Sequence, residues 1–298
     1  MFVVIVVAAA VLSNGAFATP ANLRNLLFQG AILGVCALGQ YIVVITGGID
    51  LSVGTTISLS SVIFVSSMGL GVVPAVALAL AGGLVVGLLN GALVAFLRLP
   101  PFVVTLAVSQ IAFSAAQIIT DGAAIDRAPD GTPIPEGVTQ FGSALFLGLP
   151  VTSYVWVLAI GLVVFYLRTR SGRFLFPVGG NERAARISAI PVTRVRLLAY
   201  AACSVLAAVG GLLFSARIGS GDPVAGTPYL LDSIAAVVIG GASLFGGSGT
   251  ILGTILGVLT LGVLSNLTNL VGISPTMQQA VKGVVIILAV FLNTLRRR

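Results

Sequence analysis

Long apolar stretches separated by short polar breaks run through this sequence from one end to the other. A helix needs about 20 predominantly apolar residues to cross a bilayer. The pattern therefore predicts an all-α, polytopic chain that forms a single transmembrane domain over residues 1–298, with about ten membrane spans. The predicted spans lie near 2–13, 27–46, 51–69, 72–97, 102–120, 151–167, 197–217, 230–246, 250–270 and 275–294.

Composition supports a membrane chain and narrows its chemistry. The 298 residues are 57% hydrophobic and 8% charged, whereas soluble chains carry roughly 25% charged residues. The net charge of +7 does not indicate nucleic acid, because the basic residues lie at predicted span ends. Histidine is absent, which removes the usual proton shuttle and the commonest metal ligand. We predict no catalytic residue, no metal site and no disulfide between Cys36 and Cys203, which both lie in apolar runs.

Basic residues near span ends orient a membrane chain, because they stay on the cytoplasmic side. The stretch Arg168–Arg196 holds seven of the 15 basic residues against one acid. With ten spans, this loop, Arg98 and Arg296–Arg298 all fall on the same side. We therefore predict that this loop and both termini are cytoplasmic. The loop Asp121–Pro150 carries four acids and one base and is predicted to lie outside.

The start of the sequence allows two interpretations. The apolar run Phe2–Leu12 has only 11 residues, and Ala16-Phe17-Ala18 could serve as a signal-peptidase site. A signal peptide carries a basic region before its apolar core, and only Met1 precedes this one. We interpret the run as a first membrane helix and expect a cytoplasmic lead-in ahead of it that this sequence lacks.

The central basic loop contains a predicted short helix from Glu182 to Ala189. Asn181 can cap its start, Glu182 lies favourably in the first turn, and Pro191 follows soon after. A short capped helix on a cytoplasmic loop suits the docking of a partner, and Ala185 is predicted to make an apolar contact there. From physics alone, a simple topological anchor explains the segment equally well.

The sharpest motif is the run Gly47-Gly48-Ile49-Asp50-Leu51-Ser52-Val53-Gly54. Paired glycines interrupt an apolar span and place Asp50 and Ser52 at membrane depth. Ionisable groups and broken backbone are tolerated there only inside protein or along a water-filled path. The motif therefore indicates either a solute pathway or a structural pivot, and these residues alone do not choose between them.

A faint internal repeat aligns Val44–Leu51 with Val237–Leu244. Both copies lie at the inner end of a predicted span that runs from outside to inside. Copies with the same sense predict halves related by an axis along the membrane normal.

Polar residues inside the predicted spans are the candidates for lining a pathway. Gln110, Ser114 and Gln117 share one face of a helix, since their spacing is i, i+4, i+7. Gln278, Gln279 and Lys282 cluster in the last predicted span. Hydrogen bonding between helices explains any one of these residues at least as well as solute contact does.

Asp232 and Lys282 are both predicted to lie in the outer half of the membrane. A lone lysine at that depth is disfavoured by up to roughly 3 kcal/mol, so a carboxylate nearby would offset part of the cost. We predict that the two groups pair or share a hydrogen-bond network. Snorkelling of Lys282 to the lipid headgroups is the alternative.

Three stretches together resemble one family. The run Gly47–Gly54 resembles the signature of the ribose/xylose/galactose-type permeases of ATP-binding-cassette (ABC) sugar importers. Gly179–Ile190 is similar to the cytoplasmic coupling segment of that family. Asp232–Gly241, followed by Ser243–Gly247, is similar to its third landmark.

The resemblance implies a type II ABC-importer-like permease in a bacterial inner membrane rather than an enzyme. It implies a second permease copy, two cytoplasmic ATPase subunits that hold ATP and magnesium, and an extracytoplasmic binding protein that delivers a monosaccharide for alternating access. This chain itself is expected to bind no cofactor. The implied coupling residues are Asn181, Glu182, Arg183, Ala184, Ala185, Arg186, Ile187, Ser188 and Ile190; Gly240, Gly241 and Ser243 join the first motif as the implied family signature and pathway pivot.

Two departures from the family leave the solute open. Phe113-Ser114 stands where the family usually carries Arg-Gly, and Leu230 stands where it usually carries an acid. A permease for a polyol, a nucleoside or a branched-chain amino acid is an alternative, although the amino-acid permeases favour Asn where this chain has Asp50. An ion-coupled transporter is a further alternative, and it would depend on Asp50 and Lys282 as its buried charges. An intramembrane enzyme is disfavoured, because the chain has no histidine and no serine–base pair.

Overall fold

The protein is a bundle of α-helices that follows the apolar stretches of the sequence. The structure, a computed structural model, describes residues 2–13 and 15–295; the predicted basic end Arg296–Arg298 lies outside the described residues. A hairpin of two short strands, β1 (Leu145–Phe146) and β2 (Leu149–Pro150), adds the only sheet of that part. The helices are α1 Phe2–Leu12, α2 Pro20–Ile45, α3 Val53–Ser66, α4 Val72–Ala95, α5 Pro101–Thr120, α6 Glu136–Ser143, α7 Val151–Arg168, α8 Arg170–Arg173, α9 Leu175–Gly180, α10 Glu182–Ile187, α11 Val192–Ile218, α12 Thr227–Ile239, α13 Ile251–Leu270 and α14 Pro275–Leu295.

Six described helices are long and apolar enough to cross a membrane: α2, α4, α5, α7, α11 and α13. The spans predicted near 2–13, 51–69 and 230–246 are shorter than expected, because α1, α3 and α12 have 11, 14 and 13 residues. A glycine turn explains the last of these differences, since Gly241 adopts a positive φ angle just after α12 ends. The total of about ten spans stays a prediction.

Helix α2 occupies the centre of the bundle and is almost entirely buried. It packs against α7, α11, α12 and α13. The helix begins earlier than predicted, at Pro20, because the hydroxyl of Thr19 accepts a hydrogen bond from the backbone N–H of Asn22 and proline suits the first helical position. Because α2 is central, protein surrounds its end and the motif that follows it.

Stripes of small residues pack several of the helices closely. Gly83, Gly87 and Gly91 of α4 face α11, and a Cβ atom at Gly87 would lie 2.6 Å from the carbonyl oxygen of Tyr200. Gly253 and Gly257 of α13 similarly contact the backbone of α12. Gly30 of α2 instead borders open space, since a Cβ atom there would meet nothing within 4 Å. Close backbone approach between small residues is a common way to join membrane helices.

The two long loops of the sequence lie at opposite ends of α11, a helix about 40 Å long at 1.5 Å per residue. Gly142 in α6, within the predicted outer loop, packs against the carbonyl of Ala216 near the end of α11. The basic loop instead contacts the beginning of α11, where Arg196 pairs with Glu182 at 2.6 Å. The structure therefore separates the acidic and basic loops across the bundle, as the predicted topology requires.

Candidate functional site

Five glycines bring three separate sequence motifs into contact. Gly47, Gly179, Gly180, Gly246 and Gly247 pack backbone against backbone, and we call them the glycine junction. A Cβ atom at Gly246 would lie 2.7 Å from the nitrogen of Gly47, and one at Gly247 would lie 2.6 Å from the Cα of Gly180. The N–H of Gly247 also donates to the carbonyl of Ile45 at 2.9 Å. The junction therefore joins the end of α2, the end of α9 and the loop after α12 into one unit.

The third motif provides the loop that completes the junction. Gly240 ends α12 in close contact with Gly253 of α13, and Gly241 turns the chain with a φ of 87°. The buried hydroxyl of Ser243 then accepts a hydrogen bond from the N–H of Phe245 at 3.3 Å. The repeat predicted from Val44–Leu51 and Val237–Leu244 thus has a shared local geometry, a glycine turn that ends a helix at the junction. The left-handed glycine is displaced by one residue relative to the alignment, and the relation between whole halves stays a prediction.

Helix α10 follows directly from the junction. The side-chain oxygen of Asn181 accepts a hydrogen bond from the N–H of Ala184 at 3.0 Å, which confirms the predicted N-cap. The predicted end at Ala189 is wrong, because α10 stops at Ile187 and Ala189 adopts a φ of +57°. Glu182 accepts from Arg186 at 2.7 Å and from Arg196 of α11 at 2.6 Å. These ion pairs attach the short helix to the start of α11.

The pKa of Glu182 reflects this double pairing. Partial burial acts to raise the pKa of the carboxyl, but the hydrogen bonds and positive charges of Arg186 and Arg196 outweigh it. The pKa of Glu182 therefore falls below its ordinary value, and the carboxylate remains ionised at neutral pH.

The exposed side of α10 differs from the prediction at one residue. Ala185 is 2% exposed and belongs to the core of the chain, so its predicted contact with a partner is wrong. Ala185 is three residues after Glu182 and therefore on the same side of α10. Because Glu182 pairs with Arg196 of α11, this side faces the bundle. Ile187 is 81% exposed, and Phe245 of the loop that contacts the glycine junction is 90% exposed. The remaining predicted coupling residues are exposed at Asn181, Arg183, Ala184, Arg186 and Ser188 and half-buried at Ile190.

Asp50 is fully buried in the turn between α2 and α3. Its Oδ1 atom accepts hydrogen bonds from the N–H and the hydroxyl of Ser52, at 2.8 and 2.6 Å. Asn90 of α4 donates to the same hydroxyl at 2.8 Å. Gly54 approaches the carbonyl of Gly226, where a Cβ atom would lie 2.7 Å away. The first motif thus fastens α3 to α4 and to the segment before α12.

Two polar residues that the sequence analysis did not single out stabilise the turn around Asp50 and Ser52. One is Asn90, and the other is Gln40. With its amide oriented to satisfy both groups, Gln40 donates to the backbone oxygen of Asp50 at 3.1 Å and accepts from its N–H at 3.2 Å. Both are fully buried amides within apolar helices. An amide side chain within an apolar run is visible in the sequence and could have identified both residues.

A cavity of about 320 Å³ lies between α2, α11, α12, α13 and α14, and we call it the outer cavity. The ammonium of Lys282 pairs with Oδ2 of Asp232 at 2.6 Å in its wall, which confirms the predicted pair. Gln278 also lines it and donates to Oδ1 of Asn269 at 2.7 Å. Other polar or aromatic lining residues are Gln29, Ser265, Phe214 and Tyr229.

The polar residues predicted on one face of α5, Gln110, Ser114 and Gln117, do not line the outer cavity. Helix α5 packs on α3 and α4 through Val104, Val108, Ala112 and Ala116. Gln110 and Ser114 point away from this contact and are exposed, while Gln117 is half-buried. The structure therefore brings Asp232, Gln278 and Lys282 together and leaves the three α5 residues elsewhere.

Comparison with known proteins places the chain in a family. Residues 22–290 match the family described as "Branched-chain amino acid transport system / permease component". The chain is 41% identical over 296 residues to the ribose import permease protein RbsC of Bacillus subtilis, covering 98% of this chain and 90% of that protein. It is 39% identical over 289 residues to RbsC of Escherichia coli K12, with 93% and 87% covered. It is 36% identical over 300 residues to the fructose import permease protein FrcC of Rhizobium meliloti, with 98% and 83% covered.

The apolar bundle and its glycine-rich turns are those of a multi-pass membrane permease. The chain belongs to the family of transport-system permease components matched over residues 22–290. The resemblance that the three motifs carried is thereby confirmed. No solved structure matches the chain.

Proposed function

We propose that this chain is the membrane subunit of an ATP-driven importer that carries a monosaccharide into the cytoplasm. One observation carries the proposal: the chain is 36–41% identical over nearly its whole length to permeases named for ribose and fructose import. The convergence of three family motifs at the glycine junction supports it. A permease for another small polar solute is the competing function, which the family description for branched-chain amino acids keeps open.

Partner subunits would supply the energy and the solute. ATPase subunits in the cytoplasm would hold ATP and magnesium and dock on α10, where Ile187 and the exposed arginines form an apolar and basic surface. A binding protein would deliver the solute at the opposite end, and a second permease copy would complete the pathway. Because α10 is attached to the glycine junction, a push on it would move the ends of α2 and α12 together as alternating access requires.

Reconstitution tests this function. The chain in proteoliposomes, together with its ATPase and binding-protein partners, should accumulate radiolabelled D-ribose or D-fructose only when ATP and magnesium are present on the ATPase side. Uptake of leucine but of neither sugar would overturn the sugar assignment. Uptake driven by an ion gradient without ATP would overturn the importer assignment.

Topology is tested separately by cysteine labelling in a background that lacks Cys36 and Cys203. A cysteine at Thr132, in the acidic loop, should react with a membrane-impermeant maleimide on intact cells. A cysteine at Ser188 should react only after the membrane is opened. Labelling of position 188 from outside would reverse the proposed orientation, in which both termini are cytoplasmic.

A further inference from the structure

We infer that a cavity beneath α6 binds an acyl chain of a membrane phospholipid. The cavity has a volume of about 520 Å³ and lies between α6 and the ends of α3, α4, α7 and α11. We call it the α6 cavity, and its lining includes Phe64, Val76, Val138, Phe141, Val155 and Leu213. The inference goes beyond the proposed transport function, because it assigns a lipid site to a part of the chain separate from the outer cavity.

The α6 cavity lies at the depth of one membrane leaflet. Phe64 comes from the end of α3 and Val72 from the start of α4, while Val155 comes from the start of α7. These helix ends lie on the side of the acidic loop, which is the outer side in the proposed orientation. On α11 the lining extends from Val209 to Ala216, about 10 Å at 1.5 Å per residue. One leaflet contributes about half of the roughly 30 Å hydrocarbon core, so this length fits within it.

The lining favours a hydrocarbon over a polar ligand. Every described residue that lines the α6 cavity is apolar. Water or a polar solute would lose hydrogen bonds there without replacement. Packed protein interiors contain few voids larger than a water molecule, and the volume of this one is in the roughly 300–1,000 Å³ range of ligand sites. We therefore expect an apolar occupant.

The α6 cavity borders the bilayer-facing surfaces of two membrane spans. Val76 of α4 and Val155 of α7 line it and are half-buried. Near them on the same helices, Val73 and Val157 are exposed on the outside of the bundle. An apolar side chain exposed on a membrane span contacts lipid chains, which are as apolar as leucine. Acyl chains are therefore the apolar molecules next to the entrance.

Helix α6 covers the cavity with one apolar face. Val138 and Phe141 are three residues apart, share a side of the helix and line the cavity, whereas Gln140 is exposed. Gly142 packs against the carbonyl of Ala216 and so fixes α6 over the end of α11. Amphipathic helices lie in this way at the boundary between headgroups and acyl chains. A chain in the cavity would complete the contacts of the ring of Phe141, which is 44% exposed.

The β1–β2 hairpin places more apolar surface at the same boundary. Leu145 and Phe146 are exposed, and no charged residue stands between Glu136 and Arg168 in the sequence. The hydroxyl of Tyr154 donates to the carbonyl of Phe146 at 2.9 Å, and the two rings meet edge to face. This contact holds the hairpin against the start of α7. Apolar and tyrosine side chains are typical of the membrane interface, so a lipid can approach the cavity from this side.

The depth of the cavity favours a flexible chain over a protein surface. Phe64 and Leu213 belong to its lining but are only 2% and 4% exposed. They form the floor, and α6 lies above them. The surface of a folded partner would rest on the rim, whereas a single acyl chain can extend to the floor. The occupant is therefore a lipid chain rather than a second copy of this chain or another protein.

Photolabelling of the full chain tests the site. The parent would be reconstituted in nanodiscs of phosphatidylethanolamine and phosphatidylglycerol, with a small share of phosphatidylethanolamine that carries a diazirine on one acyl chain. After irradiation, mass spectrometry of peptides should find adducts on Leu213 or Phe64, which lipid on the outside of the bundle cannot reach. Val85, exposed on α4, should also be labelled as a surface control. Adducts confined to exposed residues such as Val85 would overturn the inference.

A space-filling substitution locates the lipid in the cavity. Gly137 is part of the lining, and a Cβ atom there would meet nothing within 4 Å. Gly137→Leu should therefore lower the adducts on Leu213 and Phe64 by at least about tenfold and leave those on Val85 within about twofold. Gly161→Leu is the matched control, because Gly161 also borders open space but lies in α7 outside the lining. Floor adducts unchanged by Gly137→Leu would contradict the site.

Two measurements need no space-filling variant and decide the case in which Gly137→Leu does not fold. Native mass spectrometry of the parent should show one phospholipid that stays bound after detergent has removed the others. Oleic acid should displace it, whereas glycerophosphoethanolamine, the headgroup without chains, should not. In a background without Cys36 and Cys203, a cysteine at Phe141 should form no disulfide with a second copy. Absence of a retained lipid, displacement by the headgroup alone, or a disulfide-linked dimer would overturn the inference.

Discussion

The glycine junction and the outer cavity lie toward opposite ends of the same helices and are built differently. At the junction, backbones touch directly and a single Cβ atom at Gly179 would collide with the carbonyl of Ile45. At the outer cavity, a Cβ atom at Gly30 or Gly262 would meet open space, and charged and amide side chains line the wall. Both regions contain glycines. At the junction the glycines allow close backbone contact, and at the outer cavity they leave open space.

This difference separates two mechanical roles. Close-packed backbone transmits displacement because it has no room to absorb it, which suits the end that bears α10. A cavity with polar side chains can exchange hydrogen bonds with a solute while the surrounding helices move. We therefore expect overpacking at the junction to disturb coupling and stability together, and changes at the outer cavity to act mainly through the Asp232–Lys282 pair.

The largest effect is expected for Gly179→Val at the junction. The valine side chain cannot fit against the carbonyl of Ile45 and the nitrogen of Gly247, so the loops must separate. Overpacking of this kind costs about 1–3 kcal/mol or more. Sugar uptake should be abolished, and thermal unfolding in detergent should occur at a lower temperature.

Gly180→Ala is the matched control for that change. A Cβ atom at Gly180 would lie 3.8 Å from Gly247, an ordinary contact. Uptake and unfolding temperature should stay close to the parent. A Gly179→Val chain that behaves like Gly180→Ala would show that the junction is not rigid.

The next effect is expected for Lys282→Ala in the outer cavity. It leaves the carboxylate of Asp232 largely buried without its partner. Loss of one member of a buried pair costs up to roughly 3–5 kcal/mol, and the remaining exposure of the two groups reduces this. Uptake and unfolding temperature should both fall, which thermal unfolding and sugar uptake can measure together.

Reversing the pair sharpens this second prediction. The double change Asp232→Lys with Lys282→Asp should recover more stability than either single reversal, because the opposite charges can meet again. Recovery no greater than for the single changes would mean that the pair does not stabilise the outer end.

A third effect concerns the exposed apolar residue of α10. Ile187→Asp should reduce co-purification of the ATPase by about tenfold, or about 1.4 kcal/mol, because it places a carboxylate in an apolar contact. Folding should be unaffected, since Ile187 is 81% exposed. Leu147→Asp is the control at the opposite end, where the leucine is 84% exposed. If both variants retain the ATPase equally, the docking surface lies elsewhere.

The smallest effect is the pH dependence of Glu182. Its pKa is lowered in the folded chain from an ordinary value of 4.5, so its stabilising contribution is present above that value and disappears as the pH falls through the lowered pKa. The pair is partly exposed, so the contribution should be below about 1 kcal/mol. Thermal unfolding of the parent and of Glu182→Gln should differ at neutral pH and converge in acid. A difference that grows in acid would contradict the lowered pKa.

Local features of the candidate sites were predictable where neighbouring residues decide them. The N-cap of Asn181 depends on a side chain and an N–H three residues away, and the structure confirms it. The pair of Asp232 and Lys282 was predictable because an unpaired charge at membrane depth is costly, so few partners were possible. The span near 230–246 was predicted to continue too far, because apolar composition runs on past the glycine turn at Gly241 that follows α12.

The sequence alone determined that this chain is a helical membrane protein, which loop is basic and which acidic, and which three motifs identify its family. These properties depend on composition and on residues close together along the chain. Only the tertiary structure decided that the three motifs meet at one glycine junction, that Ala185 faces inward and that the α5 stripe lies apart from Asp232. Each of those depends on which backbone approaches which across helices distant in sequence, and that approach is set by the shape of the packed bundle rather than by any one segment.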